Sequence, residues 1–278
     1  MAATFFLMLR EGLEAALIVG IIAAYLVKIG RNDQLPKVWA GVGAALGISI
    51  VAGIVIVATI GRLPLVVQET LEGVAGLIAV AVLTWMLFWM RRQGRAMKGE
   101  LERGVDAALT AGGTMALVGL AFVAVIREGL ETTLFVLALI PSLGASPTVL
   151  LGGILGLAVA VGVGWAIFVG GRRVDLRKFF TITGVVLIFV AAGLVAFSIA
   201  EFGEAGLIAN AGTAFDLNGV FPDSSPAGNV LRGLFGYRSK PTPLEVIGYF
   251  AYLIPVLLLF VADRPLVRRE RPVSPSPG

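Results

Sequence analysis

The chain has no cysteine and no histidine among its 278 residues. The first absence excludes disulfides, iron–sulfur clusters and thiolate metal sites. The second removes the usual haem ligand and the commonest zinc ligand. Any metal handled here meets oxygen donors, and redox chemistry has to come from a partner. Charge is scarce too: 14% of residues are charged against 58% hydrophobic, with a mean hydropathy of +0.94. Soluble domains run at about 45–50% apolar and about 25% charged, so this composition reads as a membrane protein. The net charge of +4 does not point to nucleic acid, because most basic residues lie between apolar runs, where they orient a chain in the membrane. A basic leader is missing as well. The first apolar run is interrupted by Arg10, Glu11 and Glu14, so it reads as a permanent helix and not a cleaved signal.

Seven apolar runs can be counted, over about 4–29, 38–60, 66–90, 113–140, 148–170, 179–202 and 244–262. Each is long enough for a membrane-spanning helix, and the expected fold is all-α and polytopic. Basic residues alternate along the chain. Lys28, Arg31 and Lys37 follow the first run; Arg91, Arg92, Arg95, Lys98 and Arg103 follow the third. Arg172, Arg173, Arg177 and Lys178 follow the fifth, and Arg264, Arg268, Arg269 and Arg271 follow the seventh. The intervening short loops hold Arg62 alone, or nothing. This pattern predicts an external N-terminus and a cytoplasmic C-terminus. A single permease domain is expected over about 1–270, with a disordered cytoplasmic tail over 271–278, where three prolines fall.

Against this poverty of charge, one charged pentapeptide occurs twice inside apolar runs: Arg10-Glu11-Gly12-Leu13-Glu14 and Arg127-Glu128-Gly129-Leu130-Glu131. A charge at the centre of a membrane helix costs about 2.5–3.5 kcal/mol, and such residues mark substrate or ion paths. In each copy the glutamates are three apart and the arginine is four before the second, so all three share a helical face. The glycine lets another helix or an ion approach the backbone. Four carboxylates against two guanidiniums leave a surplus of two negative charges, which suits a hard divalent or trivalent cation. If each arginine pairs with the glutamate four residues on, Glu11 and Glu128 are left without a partner.

Under the expected topology the two motif helices run in opposite directions. That is the mark of two three-helix repeats related by inversion, over about 1–90 and 111–204, followed by an external loop over about 205–243 and the seventh helix. Each motif lies about 13 Å from the outer end of its helix at 1.5 Å per residue, which would bring both into one layer somewhat outside the midplane. Gly41, Gly43 and Gly47, with Gly152, Gly153 and Gly156, read as packing faces of the second and fifth spans. Val230, Leu231, Leu234 and Phe235 read as a short interfacial helix within the loop. Thr242-Pro243-Leu244-Glu245 reads as a capping box opening the seventh helix. Glu69 with Glu72, and Glu201 with Glu204, repeat the three-residue spacing at outer helix ends. They are expected to form an acidic vestibule above the central four. Oxygen-only coordination selects among Fe(III), Mn(II), Ca(II), Mg(II) and Fe(II) without choosing one.

Two Arg-Glu-X-X-Glu motifs in the first and fourth of seven helices resemble the high-affinity iron permease (oxidase-dependent iron transporter) family. That family includes the fungal permeases paired with a multicopper oxidase and the bacterial elemental-ferrous-iron uptake permeases. The resemblance covers nearly the whole chain. It implies an iron permease, not an enzyme, in a bacterial cytoplasmic (inner) membrane, with iron as transported substrate and no permanently bound cofactor. It implies Glu11, Glu14, Glu128 and Glu131 as iron ligands, Arg10 and Arg127 as motif arginines, and an extracytoplasmic iron-binding protein with an oxidase or peroxidase as partners. The acidic loop motif of the fungal members has its nearest counterpart in Pro222-Asp223-Ser224-Ser225, which departs from it. The alternatives are a permease for another hard divalent cation such as manganese, and an intramembrane lipid-pyrophosphate phosphatase. The latter would need an arginine with a serine or histidine cluster near the glutamates, and none is present. A retinal-binding receptor is excluded because the seventh run holds no lysine.

Overall fold

The computed structural model describes residues 2–60, 63–93, 97–110, 114–143, 147–170, 176–209, 212–223 and 225–262. Among these the chain is all-helical, with no strand. The long helices are α1 (Ala2–Lys28), α2 (Leu35–Ile60), α3 (Leu65–Gln93), α5 (Thr114–Leu143), α6 (Pro147–Gly170), α7 (Leu176–Glu204) and α9 (Pro243–Ala262); two shorter ones are α4 (Met97–Thr110) and α8 (Pro226–Phe235). Every apolar run read from the sequence is a helix. Among the described residues, five stretches are long and apolar enough to cross a membrane: Asn32–Ile56, Leu65–Met90, Pro147–Ala166, Phe179–Glu204 and Pro243–Ala262. The helices α1 and α5 are as long, at 27 and 30 residues, but each carries a charged pentapeptide. Arg62, Arg95, Arg172, Arg173, Arg264 and the tail 271–278 lie outside the described residues.

The ends of the elements follow local chemistry. At the start of α9 the Glu245 amide donates to Thr242 Oγ1 at 3.3 Å, and the Thr242 amide donates back to Glu245 Oε1 at 3.2 Å. This is the expected capping box, with Pro243 as the first helical residue. The Ser225 hydroxyl accepts from the Gly228 amide at 2.9 Å and opens α8.

Helix α1 packs along α6, α2 along α5 and α3 along α7, while α9 lies against α7. Two of the predicted packing glycines carry close contacts. A Cβ on Gly156 would stand 2.9 Å from the Leu9 amide nitrogen of α1, and one on Gly41 would stand 3.0 Å from that of Phe122 on α5. Gly43 and Gly47 instead face open space, so the packing reading fails there.

The stretch between the third and fourth apolar runs, marked in the sequence only by its basic residues, forms α4. Its Leu101, Val105, Ala108 and Leu109 recur at helical spacing and close a cluster with Ile22, Leu26, Val38 and Leu117. Tyr25 adds a hydrogen bond to Asp106 at 2.8 Å. The helix α8 forms where expected, with Val230 and Phe235 partly exposed, and its other contacts run to α7 and α1. Phe235 meets Phe189 of α7 edge-on with ring centroids 5.2 Å apart, and a Cβ on Gly193 would stand 3.0 Å from the Gly236 nitrogen. Gly233 in turn lies over the first residues of α1. Helix α1 thus begins beside the middle of α7, so depth counted from its first residue does not give depth from the end of the bundle.

Two large dry clusters fill the interior. One joins Ala3 and Leu7 to Leu83, Phe135, Leu187 and Ile188; the other is the cluster that α4 closes. The charged pentapeptides fall between these two, and a small third cluster joins Leu9 and Leu13 to Ala160.

Candidate metal centre

The pentapeptides fold as their spacing requires. Arg10 Nε stands 3.1 Å from Glu14 Oε1, and Nη1 stands 3.5 Å from Glu11 Oε1. Arg127 Nε stands 2.9 Å from Glu131 Oε1 and 3.9 Å from Glu128 Oε1. Each arginine therefore faces both glutamates of its own motif. The expectation that Glu11 and Glu128 stand wholly apart is corrected: each shares its arginine through one oxygen and keeps the other free. Helix neighbours close over the glycines. A Cβ on Gly12 would lie 2.7 Å from the Ala160 Cβ, and one on Gly129 would overlap the Ser49 side chain. Of the two partners considered for these glycines, a helix takes the place at both.

Helices α1 and α5 bring the motifs together. Carboxylate oxygens of Glu11, Glu128 and Glu131 all lie within 4.8 Å of one another. Glu14 is outside this trio, held toward Arg10. Among the described residues, four buried oxygens lack a hydrogen-bond partner: Glu11 Oε2, Glu14 Oε1, Glu128 Oε2 and Glu131 Oε2. The 3.1 Å approach of Arg10 to Glu14 is thus an ion contact without hydrogen-bond alignment. An unmet buried acceptor costs about 1–3 kcal/mol, more when charged, and a cation among Glu11, Glu128 and Glu131 would meet the three that lie together. Oxygen donors at this spacing suit a hard ion.

A cavity of about 650 Å³ reaches Glu11 and Glu128 from between α1, α2, α5 and α6. Its polar end carries Ser49, Thr132 and Thr133, and its walls are Ile50, Ile54, Val136 and Leu137. The other side of the layer is α3. Arg10 Nη2 donates to Met90 Sδ at 3.1 Å, and the Arg127 guanidinium lies over the rings of Trp85 and Trp89, 5.8 and 5.1 Å from their centroids. None of the three was singled out from the sequence. The available signal was two tryptophans four apart followed by a methionine, on a helix otherwise filled with aliphatic side chains.

The remaining acids gather at the opposite end of α3 and α7. Glu201 lies within electrostatic reach of Glu204, Glu72, Glu69 and Arg238. Glu72 is buried and accepts from Gln68 Nε2 at 2.8 Å. Glu204 is exposed, with Arg238 Nη2 at 3.7 Å; the same guanidinium stands 3.3 Å from Glu245. The acids do not open onto the motif layer. From Glu72 to Met90 the helix rises about 27 Å, and the first dry cluster fills that stretch.

In the 205–243 segment, Asp223 has both oxygens taken by Ser239, from its amide at 2.9 Å and its hydroxyl at 2.8 Å. Asp216 pairs with Lys240 at 2.9 Å, and that hydrogen bond holds its carboxyl below the usual aspartate range. These acids tie the segment to itself; Ser224 lies outside the described residues.

An all-helical chain with membrane-length helices and a buried knot of carboxylates has the build of a membrane transporter of cations. The chain belongs to the iron permease FTR1 family, whose profile matches residues 1–267. It is 45% identical over 262 residues to the ferrous iron permease EfeU of Yersinia pestis, covering 92% of each chain. It is 45% identical over 261 residues to EfeU of Escherichia coli O6:K15:H31, covering 92% of this chain and 94% of that one. Shigella sonnei EfeU is 45% identical over 260 residues, with the same coverage of 92% and 94%. No solved structure matches the chain. It is a permease that carries iron across a membrane, and iron is its substrate.

Proposed function

We propose that this chain carries ferrous iron across a bacterial cytoplasmic membrane through the layer formed by Glu11, Glu14, Glu128 and Glu131. The observation that carries the reading is the convergence of the Glu11, Glu128 and Glu131 carboxylates within 4.8 Å of one another, each keeping one buried oxygen without a hydrogen-bond partner, beside a cavity. An ion arriving there exchanges water for carboxylate oxygen. The two arginines offset part of the charge, so that the ion is held without being trapped. The choice of Fe(II) comes from the names of the relatives, since an oxygen donor set alone also admits manganese.

In this reading α1 and α5 cross the membrane with the five apolar stretches, giving seven crossings with the N-terminus outside. Two inverted three-helix repeats are supported by reciprocal packing: α1 lies on α6 as α5 lies on α2. Gly12 meets Ala160 as Gly129 meets Ser49. The acids Glu69, Glu72, Glu201 and Glu204 raise the local cation concentration at their own end of α3 and α7. The chain has no histidine or cysteine, in keeping with a separate oxidase or peroxidase and an extracytoplasmic binding protein that deliver the iron.

Uptake of Fe(II) into liposomes by purified protein tests the reading. Glu11→Gln and Glu128→Gln keep shape and remove one charge each, and both are expected to abolish uptake. Parent-rate transport by both, at matched protein levels, would overturn the assignment.

A further inference from the structure

Both motif arginines end on the same stretch of α3. Arg10 comes from α1 and meets Met90; Arg127 comes from α5 and meets Trp85 and Trp89. The two indoles stack on each other, with centroids 5.9 Å apart and planes at 24°. Residues 85 and 89 are four apart and 90 is adjacent, so a little more than one turn of one helix receives both guanidiniums. Met90 is buried, as is Arg10.

The chemistry of these partners is unusual for arginine in a low-dielectric layer. A thioether is a weak, neutral acceptor, and an aromatic face attracts a cation through its quadrupole without carrying charge. A carboxylate in either place would neutralise the guanidinium and withdraw it from the motif glutamates. Neutral partners fix where the guanidinium sits and leave its charge directed at the carboxylates. The arginines in turn hold one oxygen each of Glu11 and Glu14, and of Glu128 and Glu131. The place where an arginine is anchored therefore sets which way the free oxygens turn.

We infer that Trp85, Trp89 and Met90 are positioning residues of the iron site, a neutral clamp on α3 that sets both arginines and through them the ligand geometry. This rests on the reading of the motif glutamates as iron ligands.

The test measures the apparent affinity for Fe(II), from the rise in melting temperature of detergent-solubilised protein with added Fe(II), beside liposome uptake. Trp89→Leu is expected to weaken the affinity about three- to tenfold, and Trp89→Phe, which keeps an aromatic face, to restore most of it. Trp89→Leu should have no further effect when Arg127 is already Arg127→Gln, and its full effect alongside Arg10→Gln. Met90→Leu should likewise be silent in the Arg10→Gln background, and Met90→Gln, which supplies an acceptor, should outperform Met90→Leu. Equal effects of Trp89→Leu with and without Arg127, or parent affinity in Trp89→Leu and Met90→Leu, overturn the clamp. Glu128→Gln separates the two claims. If it binds and transports iron normally, the glutamate reading has failed. If it is inactive while the Trp89 and Arg127 effects simply multiply, the clamp alone has failed.

Discussion

The two copies of the pentapeptide are identical in sequence and sit in different surroundings. In the first, Arg10 is 1% exposed and ends on a thioether; in the second, the Arg127 side chain is 42% exposed and ends on two indoles. The local result is nearly the same, an arginine–glutamate contact of 3.1 Å in one and 2.9 Å in the other. Five residues of helix therefore set the ion pair, and the rest of the chain sets what that pair is worth.

The largest effect expected from this contrast is on stability. Arg10→Gln strands Glu11 and Glu14 in a buried layer and should cost about 3–5 kcal/mol. Arg127→Gln leaves Glu128 and Glu131 without their arginine but removes a half-exposed side chain, and should cost less, about 1–3 kcal/mol. Unfolding of both proteins in the same detergent measures the gap. Equal losses would mean that the surroundings of the two motifs are equivalent after all.

Next come the motif glycines. Gly129→Ala drives a methyl into Ser49 and should cost about 1–3 kcal/mol as overpacking. Ser49→Gly in the same chain should recover most of the loss. Failure of the rescue would remove the α2–α5 contact from the account.

A smaller effect belongs to the outer acids. With Glu201 and Glu204 both changed to glutamine, the half-saturating iron concentration should rise about two- to threefold with little change in maximal rate, because these groups gather cations and do not strip them. Uptake curves beside those of Glu128→Gln check this, and a fall in maximal rate alone would place the pair on the path proper.

The smallest concerns pH in the loop. The folded Asp216 carboxyl is depressed by Lys240, so its contribution is present above the ordinary aspartate range and is lost as pH falls through the lowered value. Protection of the Asn218 amide against exchange, relative to a free amide at the same pH, should be lost only at acid pH, since its N–H bonds Asp216 Oδ1, and Lys240→Gln should move that onset upward.

What could be read from the residues alone was whatever depends on neighbours along the chain. The apolar runs became helices because length and composition suffice for that. The Thr242–Glu245 box formed because both partners sit within one turn. Helix α4 was hidden because charges of both signs, Lys98, Glu100, Glu102, Arg103 and Asp106, fill its sequence, while its apolar face of Leu101, Val105 and Ala108 shows only as a period. The depth of α8 was not legible, since an amphipathic segment looks alike on a surface and against α7. The anchoring of Arg10 by Met90 spans 80 positions, and nothing local announces it. The same holds for Glu14, whose spacing matches that of Glu131 but whose side chain stays outside the oxygen trio.

The central claim is that iron rests among Glu11, Glu128 and Glu131, and anomalous scattering at the iron edge from crystals soaked in Fe(II) reads it most directly. The account predicts one dominant peak within coordinating distance of all three carboxylates, lost in Glu128→Gln. A dominant peak among Glu69, Glu72, Glu201 and Glu204, with none between α1 and α5, would contradict it.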